Sequence, residues 1–552
     1  MHFLKECFMT GADVLIRDLK EAGVPCIYTL CGNGLEPILT ACGRAGMRVI
    51  DTRNEQAAAY MADTAGRLTR RVGVVATSSG VAHLNALTGV CNAWFDGSPM
   101  LLITGATDSA TTGRGNFQDM DSVALSRPIC KFAQGVNRPE RISPDVREAL
   151  RFALTGRPGP VHLTIPMDVL RAETRGSSGG RSKIQPLAYN CRAAADPAAI
   201  QEAAELIQGA KRPLLVAGSG AFYADASQTL ARLARLLKAP VTVPIWDRGV
   251  VEKAIPEFVG VIGSASGEPR ILPDADLVIL AGARVDYRLG YLEPPAVSRK
   301  VKIIRIDPDP QEMVQGIRPD VPLLGDVRTV FSQLIKVLRT KGYEGSSAWL
   351  AAARKRDRAF RKKWIASPLQ PALLPTGRHI VEVLRGVVDE RTFFLVDGGN
   401  IGQWVHMAMA DRYPERWITC GASGGIGWGI PGAMAVRSLF PKDPILVLSG
   451  DGSATFTIAE LETATRQGLP FVCVIADDKA WGIVVSNMRK MGKPMVGAKL
   501  GPIRFDQVAE GFGARGLRID DPKELPKAIR EGFRADRPTL IHVPIETAGP
   551  SD

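Results

Sequence analysis

The chain is poor in two residue types that often carry chemistry: 552 residues hold nine cysteines and six histidines. No two cysteines stand in a CxxC spacing, and their number is odd. Cys7, Cys26, Cys31, Cys42, Cys91, Cys130, Cys191, Cys420 and Cys473 therefore read as free thiols in a reducing compartment, not as a disulfide framework. Long apolar runs are also scarce. One long uncharged stretch, residues 417–436, could span a bilayer by length but carries six glycines and Pro431. It reads as a packed, glycine-rich turn region rather than a membrane helix. Lys5 and Glu6 interrupt the first apolar stretch, so the amino terminus does not resemble a signal peptide. The expectation is a cytoplasmic protein. Short repeats and low-complexity tracts are absent too.

The basic excess is diffuse. Net charge is +12 and the pI about 9.3. The densest group, Arg354-Lys355-Arg356-Asp357-Arg358 with Arg361-Lys362-Lys363, has helix-like spacing and carries no known nucleic-acid motif. That argues against a nucleic-acid surface. It leaves a solvated face, or attraction of an anionic substrate or cofactor.

What is present is ordinary for a folded protein: 45% apolar and 23% charged residues. Length alone suggests three or four domains. Runs rich in Val, Ile and Leu recur at 72–77, 100–104, 161–165, 213–217, 277–281, 302–306, 392–396, 445–448, 471–475 and 539–543, with helix-like stretches between them. Their lack of alternation marks parallel strands buried on both faces, and the spacing predicts repeated βαβ units. Residues 171–190, polar and glycine-rich, and 367–377, with three prolines, read as linkers. The expected fold is α/β: three consecutive doubly wound parallel-sheet domains, at residues 1–172, 190–345 and 366–552.

The most informative segment begins at Ile445. One apolar strand ends in Gly450-Asp451-Gly452-Ser453, and the next ends in Asp477-Asp478-Lys479-Ala480. Two carboxylates thus reach the carboxyl ends of successive parallel strands, where open α/β sheets bind ligands. Mg²⁺ takes oxygen ligands, usually one or two carboxylates plus phosphate. Glycines beside Asp451 admit backbone N–H groups to a diphosphate, and a following helix amino terminus favours the anion. Gly-Asp-Gly alone is only a turn; the second carboxylate makes the difference. The segment resembles the thiamine diphosphate motif, Gly-Asp-Gly followed further along by Asn-Asn. The resemblance implies a metal held by Asp451, Asp478 and the Ala480 carbonyl, with Gly450, Gly452 and Ser453 at the cofactor. Asp477-Asp478 stands in place of Asn-Asn, which keeps oxygen ligands and adds negative charge.

The likeness to acetolactate synthases, benzaldehyde lyase and 2-hydroxyacyl-CoA lyases extends over nearly the whole chain. Arg53-Asn54-Glu55-Gln56-Ala57 follows a strand at Val49-Ile50. It matches the segment whose glutamate hydrogen-bonds N1′ of the aminopyrimidine and favours the tautomer that takes the thiazolium C2 proton. Glu55 is the implied catalytic residue; a helix amino-terminal acid is the plainer alternative. Residues 79–89 look like the family's Ser-Gly-Pro-Gly loop, with Val81-Ala82 for Pro-Gly. Asn116-Phe117-Gln118-Asp119 resembles a segment lining acetolactate synthase sites, which makes Gln118 an implied substrate hydrogen-bond donor. Lys131 is a further candidate, or an ordinary surface charge. Gly398-Gly399-Asn400-Ile401-Gly402-Gln403 resembles the diphosphate loop, with Ile401 and Gln403 at contact positions and Trp404 in place of a histidine. The run 424–431 resembles the aminopyrimidine site: the Gly424 carbonyl accepts from the 4′-amino group, and Ile426 wedges the cofactor into its bent form. Within it, Gly427-x-Gly429-x-x-Gly432 is formally a dinucleotide fingerprint, weak evidence alone and opposed by Pro431.

The implied function is a thiamine diphosphate- and Mg²⁺-dependent carbon–carbon lyase or carboligase acting on 2-keto acids or acyloins, acetolactate synthase-like. A 2-hydroxyacyl-CoA lyase or oxalyl-CoA decarboxylase is the alternative, although the chain ends soon after residues 539–543, where CoA enzymes are usually extended. A non-catalytic cofactor-binding relative is the alternative of another class. The chain has no adjacent His-His pair, which pyruvate-decarboxylase-type sites use. Asn487 replaces the tryptophan that synthases use for 2-ketobutyrate preference, and Gly34 replaces the histidine of benzaldehyde lyase, so the substrate stays open. Gly282-Ala283-Arg284-Val285-Asp286-Tyr287-Arg288 looks somewhat like all of these families, and FAD in the central domain is undecided by the residues. Residues 487–499, with Arg489, Lys490, Lys493 and Lys499, read as a lid for an anionic substrate or as a solvated loop. The resemblance implies pyrimidine-binding, central Rossmann-like and diphosphate-binding domains in that order, assembled as a homodimer or homotetramer. No nucleic-acid or membrane partner is expected.

Overall fold

The computed structural model describes residues 8–175, 192–251, 254–263, 270–364, 374–411, 413–547 and 549. Most of the first expected linker and residues 367–373 of the second lie outside them, as do Cys7 and Cys191.

The described strands are β1 (Phe8–Thr10), β2 (Cys26–Thr29), β3 (Arg48–Asp51), β4 (Gly73–Ser78), β5 (Met100–Ala106), β6 (Phe132–Gly135), β7 (Pro160–Pro166), β8 (Glu173–Arg175), β9 (Pro213–Ala217), β10 (Val241–Pro244), β11 (Phe258–Ile262), β12 (Leu277–Ala281), β13 (Lys302–Asp307), β14 (Val321–Leu324), β15 (Phe393–Asp397), β16 (Trp417–Thr419), β17 (Ile445–Gly450), β18 (Val472–Asp477), β19 (Arg515–Arg518) and β20 (Thr539–Pro544). Apart from the antiparallel pair β1–β8, they form three six-stranded parallel sheets. All ten strands expected from the apolar runs are present. The three-sheet α/β architecture is as the sequence predicts.

Sheet one runs β3-β2-β4-β5-β7-β6 and sheet three β16-β15-β17-β18-β20-β19. Relative to its own first strand, each reads 2-1-3-4-6-5. Sheet two, β11-β10-β9-β12-β13-β14, reads 3-2-1-4-5-6, the order of doubly wound dinucleotide-binding sheets. The contacts divide the chain into two compact units. The first comprises residues 1–189, 430–441 and 459–469; the second comprises 190–429, 442–458 and 470–552.

In the first unit, small residues govern packing. Ala57, Ala58, Ala59 and Ala62 are buried on helix Glu55–Thr69. A Cβ at Gly89, on helix Val81–Asp96, would stand 2.5 Å from the Ala59 Cβ. The two helices close on each other because neither carries bulk there. No helix among the described residues is long and apolar enough to cross a membrane. Residues 417–436 instead supply β16, turns and the start of helix Gly429–Leu439.

Candidate active site

In the second unit, sheet three reverses its strand order between β15 and β17, where open sheets leave a crevice at their carboxyl ends. A cavity of about 300 Å³ lies there. Helices Gly399–Ala408, Asp451–Thr455 and Gly482–Lys490 begin at its wall. Ile401, Gln403, Gly424, Ile426, Gly450, Asp451, Gly452, Ser453, Asp478 and Ala480, all singled out from the sequence, line this one cavity.

Asp451 and Asp478 are both buried. Burial, with the Asp478 charge beside it, pushes Asp451 up to about 8, and burial pushes Asp478 up to about 6. Adjacent buried carboxylates are costly without a cation. No lysine or arginine is among the described lining residues. His406 also lines the cavity, but burial pushes it down to about 4, so it is neutral at pH 7. This donor set suits a hard divalent ion that arrives with phosphate oxygens. Among the described residues no three of His, Cys, Asp or Glu gather to hold an ion unaided. The other ligands would therefore be backbone carbonyls, water or phosphate. Asp478 is steadied by Asn400 Nδ2, which donates to Oδ2 at 3.4 Å, and by the Ala480 N–H, which donates to Oδ1 at 3.2 Å.

Glycine is required where the walls meet. Gly398 has φ +116°, and a Cβ there would stand 3.1 Å from Gly450 N and 3.2 Å from Ser453 Oγ. A Cβ on Gly452 would stand 2.5 Å from the Trp481 ring. Asp397, not foreseen from the sequence, accepts from the N–H groups of Gly427 (3.2 Å) and Gly429 (3.0 Å). The fingerprint glycines thus direct their N–H groups at a protein carboxylate, which leaves them unavailable to a dinucleotide phosphate. The only local sign of Asp397 was an acid closing an apolar strand before Gly-Gly.

The lid candidate divides into two parts. Residues 487–490 belong to helix Gly482–Lys490, and 491–497 are exposed. The chain then returns to the loop that follows β18: the Trp481 backbone N–H donates to Ala498 O, and Leu500 N–H to Lys479 O, each at 2.8 Å.

Glu55 and Gln118 belong to the first unit. Glu55 opens helix Glu55–Thr69 at the carboxyl end of β3, capped by Asn54, and its Oε2 accepts from Asn85 Nδ2 at 3.0 Å. Gln118, in left-handed backbone at φ +59°, packs against Gly80. The turn before Glu55 is held from far along the chain. Glu460 is buried and accepts from the Arg53 N–H at 2.9 Å, and Arg53 pairs with Glu462 at 2.8 Å. Nothing local in the sequence signalled that tether. Lys131 donates Nζ to the carbonyls of Thr155 and Arg157, which is a structural role.

A second cavity in the second unit, of about 850 Å³, is lined by Arg270, Arg356, Lys363, Tyr287, Phe360 and Trp364 among others. Tyr287 lies 6.3 Å from Trp246 and Trp364 5.9 Å from Trp404, ring to ring. Trp246 and Trp404 line the first cavity, so two aromatic pairs join the cavity walls.

Family models match in order along the chain: the thiamine pyrophosphate enzyme N-terminal TPP-binding domain over residues 9–125, the central domain over 200–334 and the C-terminal TPP-binding domain over 397–543. A probable acetolactate synthase large subunit of Methanococcus aeolicus is 29% identical over 560 residues, covering 98% of this chain and 92% of that protein. 2-Hydroxyacyl-CoA lyase 2 of Mus musculus is 31% identical over 566 residues, covering 95% and 87%. Acetolactate synthase large subunit of Haemophilus influenzae is 28% identical over 531 residues, covering 95% and 92%. The three matched regions span most of the chain in a single order, and the chain belongs to the thiamine pyrophosphate enzyme family.

Proposed function

We propose that the protein is a thiamine diphosphate- and Mg²⁺-dependent enzyme that makes or breaks a carbon–carbon bond beside a carbonyl of a 2-keto acid or acyloin. The observation that carries this reading is the pair of buried carboxylates, Asp451 and Asp478, at adjacent strand ends in a glycine-lined cavity. Asp451, Asp478 and the Ala480 carbonyl hold the cation. Ile401, Gln403, Gly450, Gly452 and Ser453 lie along the diphosphate, and Gly424 and Ile426 receive the aminopyrimidine. The bound cofactor supplies an electron sink for the pair released from the cleaved bond. Glu55 holds a proton at the aminopyrimidine ring nitrogen, its carboxylate fixed by Asn85. Gln118 donates to substrate, and the cations of residues 489–499 attract an anionic one.

Residues 1–172, 190–345 and 366–552 serve as the pyrimidine-binding, central and diphosphate-binding domains of a cytoplasmic homodimer or homotetramer. Exposed Val81, Leu84, Phe117 and Met120 support assembly. The seven described cysteines, all free, agree with a reducing compartment.

Calorimetric titration with thiamine diphosphate, with and without Mg²⁺, tests the site. Binding is expected to require the metal, to be lost in Asp451→Ala and to persist in Glu55→Gln with activity abolished. Absence of binding under any metal would overturn this reading, and metal-dependent binding without turnover of any substrate class would favour the non-catalytic alternative. A second reading, an acyl-CoA lyase or decarboxylase, is favoured by the basic second cavity, whose arginines suit phosphates and whose rings suit an adenine. FAD would suit the same lining. CoA titration and the visible spectrum of the purified protein separate these two occupants, and relatives named for synthase and for acyl-CoA lyase activity justify screening both substrate classes.

A further inference from the structure

β18 ends at Asp477 and Asp478 follows it directly, and of the two only Asp478 lines the cavity. Asp477 is buried beside it and its side chain is hydrogen-bonded to Asp451, so a third carboxyl group adjoins the Asp451–Asp478 pair. Its Oδ2 lies 2.8 Å from His542 Nε2. His542 is buried on β20, where the parallel register sets it opposite Ile475 of β18. The other ring nitrogen, Nδ1, faces Asp506 Oδ1 at 3.4 Å, and Asp506 pairs with half-exposed Arg504 at 2.5 Å. Phe505 packs edge-on to the imidazole at 5.4 Å. A chain of alternating acids and bases thus runs from the edge of the cation site to the surface.

The second anchor on Asp477 is local: its Oδ1 accepts from the Lys479 N–H at 3.1 Å, inside the turn that presents Asp478 and Ala480. The imidazole therefore fixes a side chain that is itself bonded into the cation loop. A buried carboxylate stripped of its partner is strongly destabilising, and here it would also repel an incoming diphosphate.

We propose that His542 is a positioning residue for the cation and diphosphate site: through its Nε2 contact it fixes the Asp477 carboxyl where it stands beside Asp451, with Asp506 and Arg504 continuing the chain of contacts to the surface. The Asp-Asp sequence then presents one ligand, not two. The inference rests on the thiamine diphosphate–Mg²⁺ reading of the cavity.

The test is calorimetric titration of the full-length protein with thiamine diphosphate at saturating Mg²⁺, for the unmodified chain, His542→Leu and His542→Leu/Asp477→Asn. His542→Leu is expected to weaken binding at least about tenfold. The double variant, which removes the orphaned charge, is expected to return to within about threefold of the unmodified protein, a rescue that a mere packing role for His542 would not give. If the unmodified protein binds and His542→Leu binds equally well, the inference falls while the reading of the cavity stands. A double variant no better than the single one also overturns it. If His542→Leu does not fold, a double variant that folds and binds sustains the proposal, and one that also fails to fold overturns it. No binding by the unmodified protein overturns both.

Discussion

Gly452 sits where a side chain would collide with an indole: a Cβ there lies 2.5, 2.9 and 3.0 Å from three Trp481 ring carbons. The residue that carries the ring is itself held, because the Trp481 backbone N–H donates to Ala498 O. Gly452→Ala should therefore displace the turn beside Asp451 and weaken thiamine diphosphate binding by about tenfold or more, read by titration calorimetry, with little change in far-UV circular dichroism. A second residue-scale expectation concerns Asp307, at the end of β13. Burial pushes its carboxyl from 3.8 to about 7. A raised folded value means that the group's contribution to stability is complete below about 3.8 and lost as pH climbs through 7. Asp307→Asn keeps an acceptor for the Asp309 N–H and removes the titration. Between pH 5 and 8, thermal melts of the variant should fall less with rising pH than those of the unmodified protein, with a slope difference of up to ~1.4 kcal/mol per pH unit.

Helix Glu460–Arg466 shows what an element contributes beyond its own sheet. Glu460 is buried, its carboxyl pushed up to about 7 by burial, and it holds the Arg53 N–H and the Thr463 hydroxyl. Glu460→Ala should leave that N–H unsatisfied and cost about 1–3 kcal/mol in chemical denaturation, while Glu460→Gln, which keeps an acceptor, should cost less. Such tethers explain which parts of the molecule were legible in the sequence. Strands buried on both faces, such as β12 and β17, advertise themselves as unbroken apolar runs. Several that escaped notice are edge strands: β6 reads Phe-Ala-Gln-Gly, β19 reads Arg-Gly-Leu-Arg, and β14 alternates buried and exposed. The cavity was legible because its carboxylates and glycines lie in short local motifs. Asp397, the Arg53–Glu460 bond and the Asp477–His542–Asp506 chain were not, since their partners are distant in sequence and no spacing links them.

At the scale of the whole molecule, exposed apolar side chains stand near the Glu55 and Gln118 segments of the first unit, with Phe117 at 68% and Val81 at 62% exposure. Surfaces of this kind mark interaction sites. Sedimentation should find a homodimer or homotetramer, and Phe117→Asp should shift it toward monomer while the monomer's melting temperature is kept. The division of the chain into units has a consequence for its synthesis. The first unit is built from three stretches, and the last of them ends at residue 469. A nascent chain that has released residues 1–189 still lacks Glu460, Glu462 and Arg466, which hold Arg53 and Asp51. At ordinary translation speeds these arrive on the order of tens of seconds later. Until then the segment that carries Glu55 waits on the ribosome with its anchor unmade, exposed to chaperones and proteases.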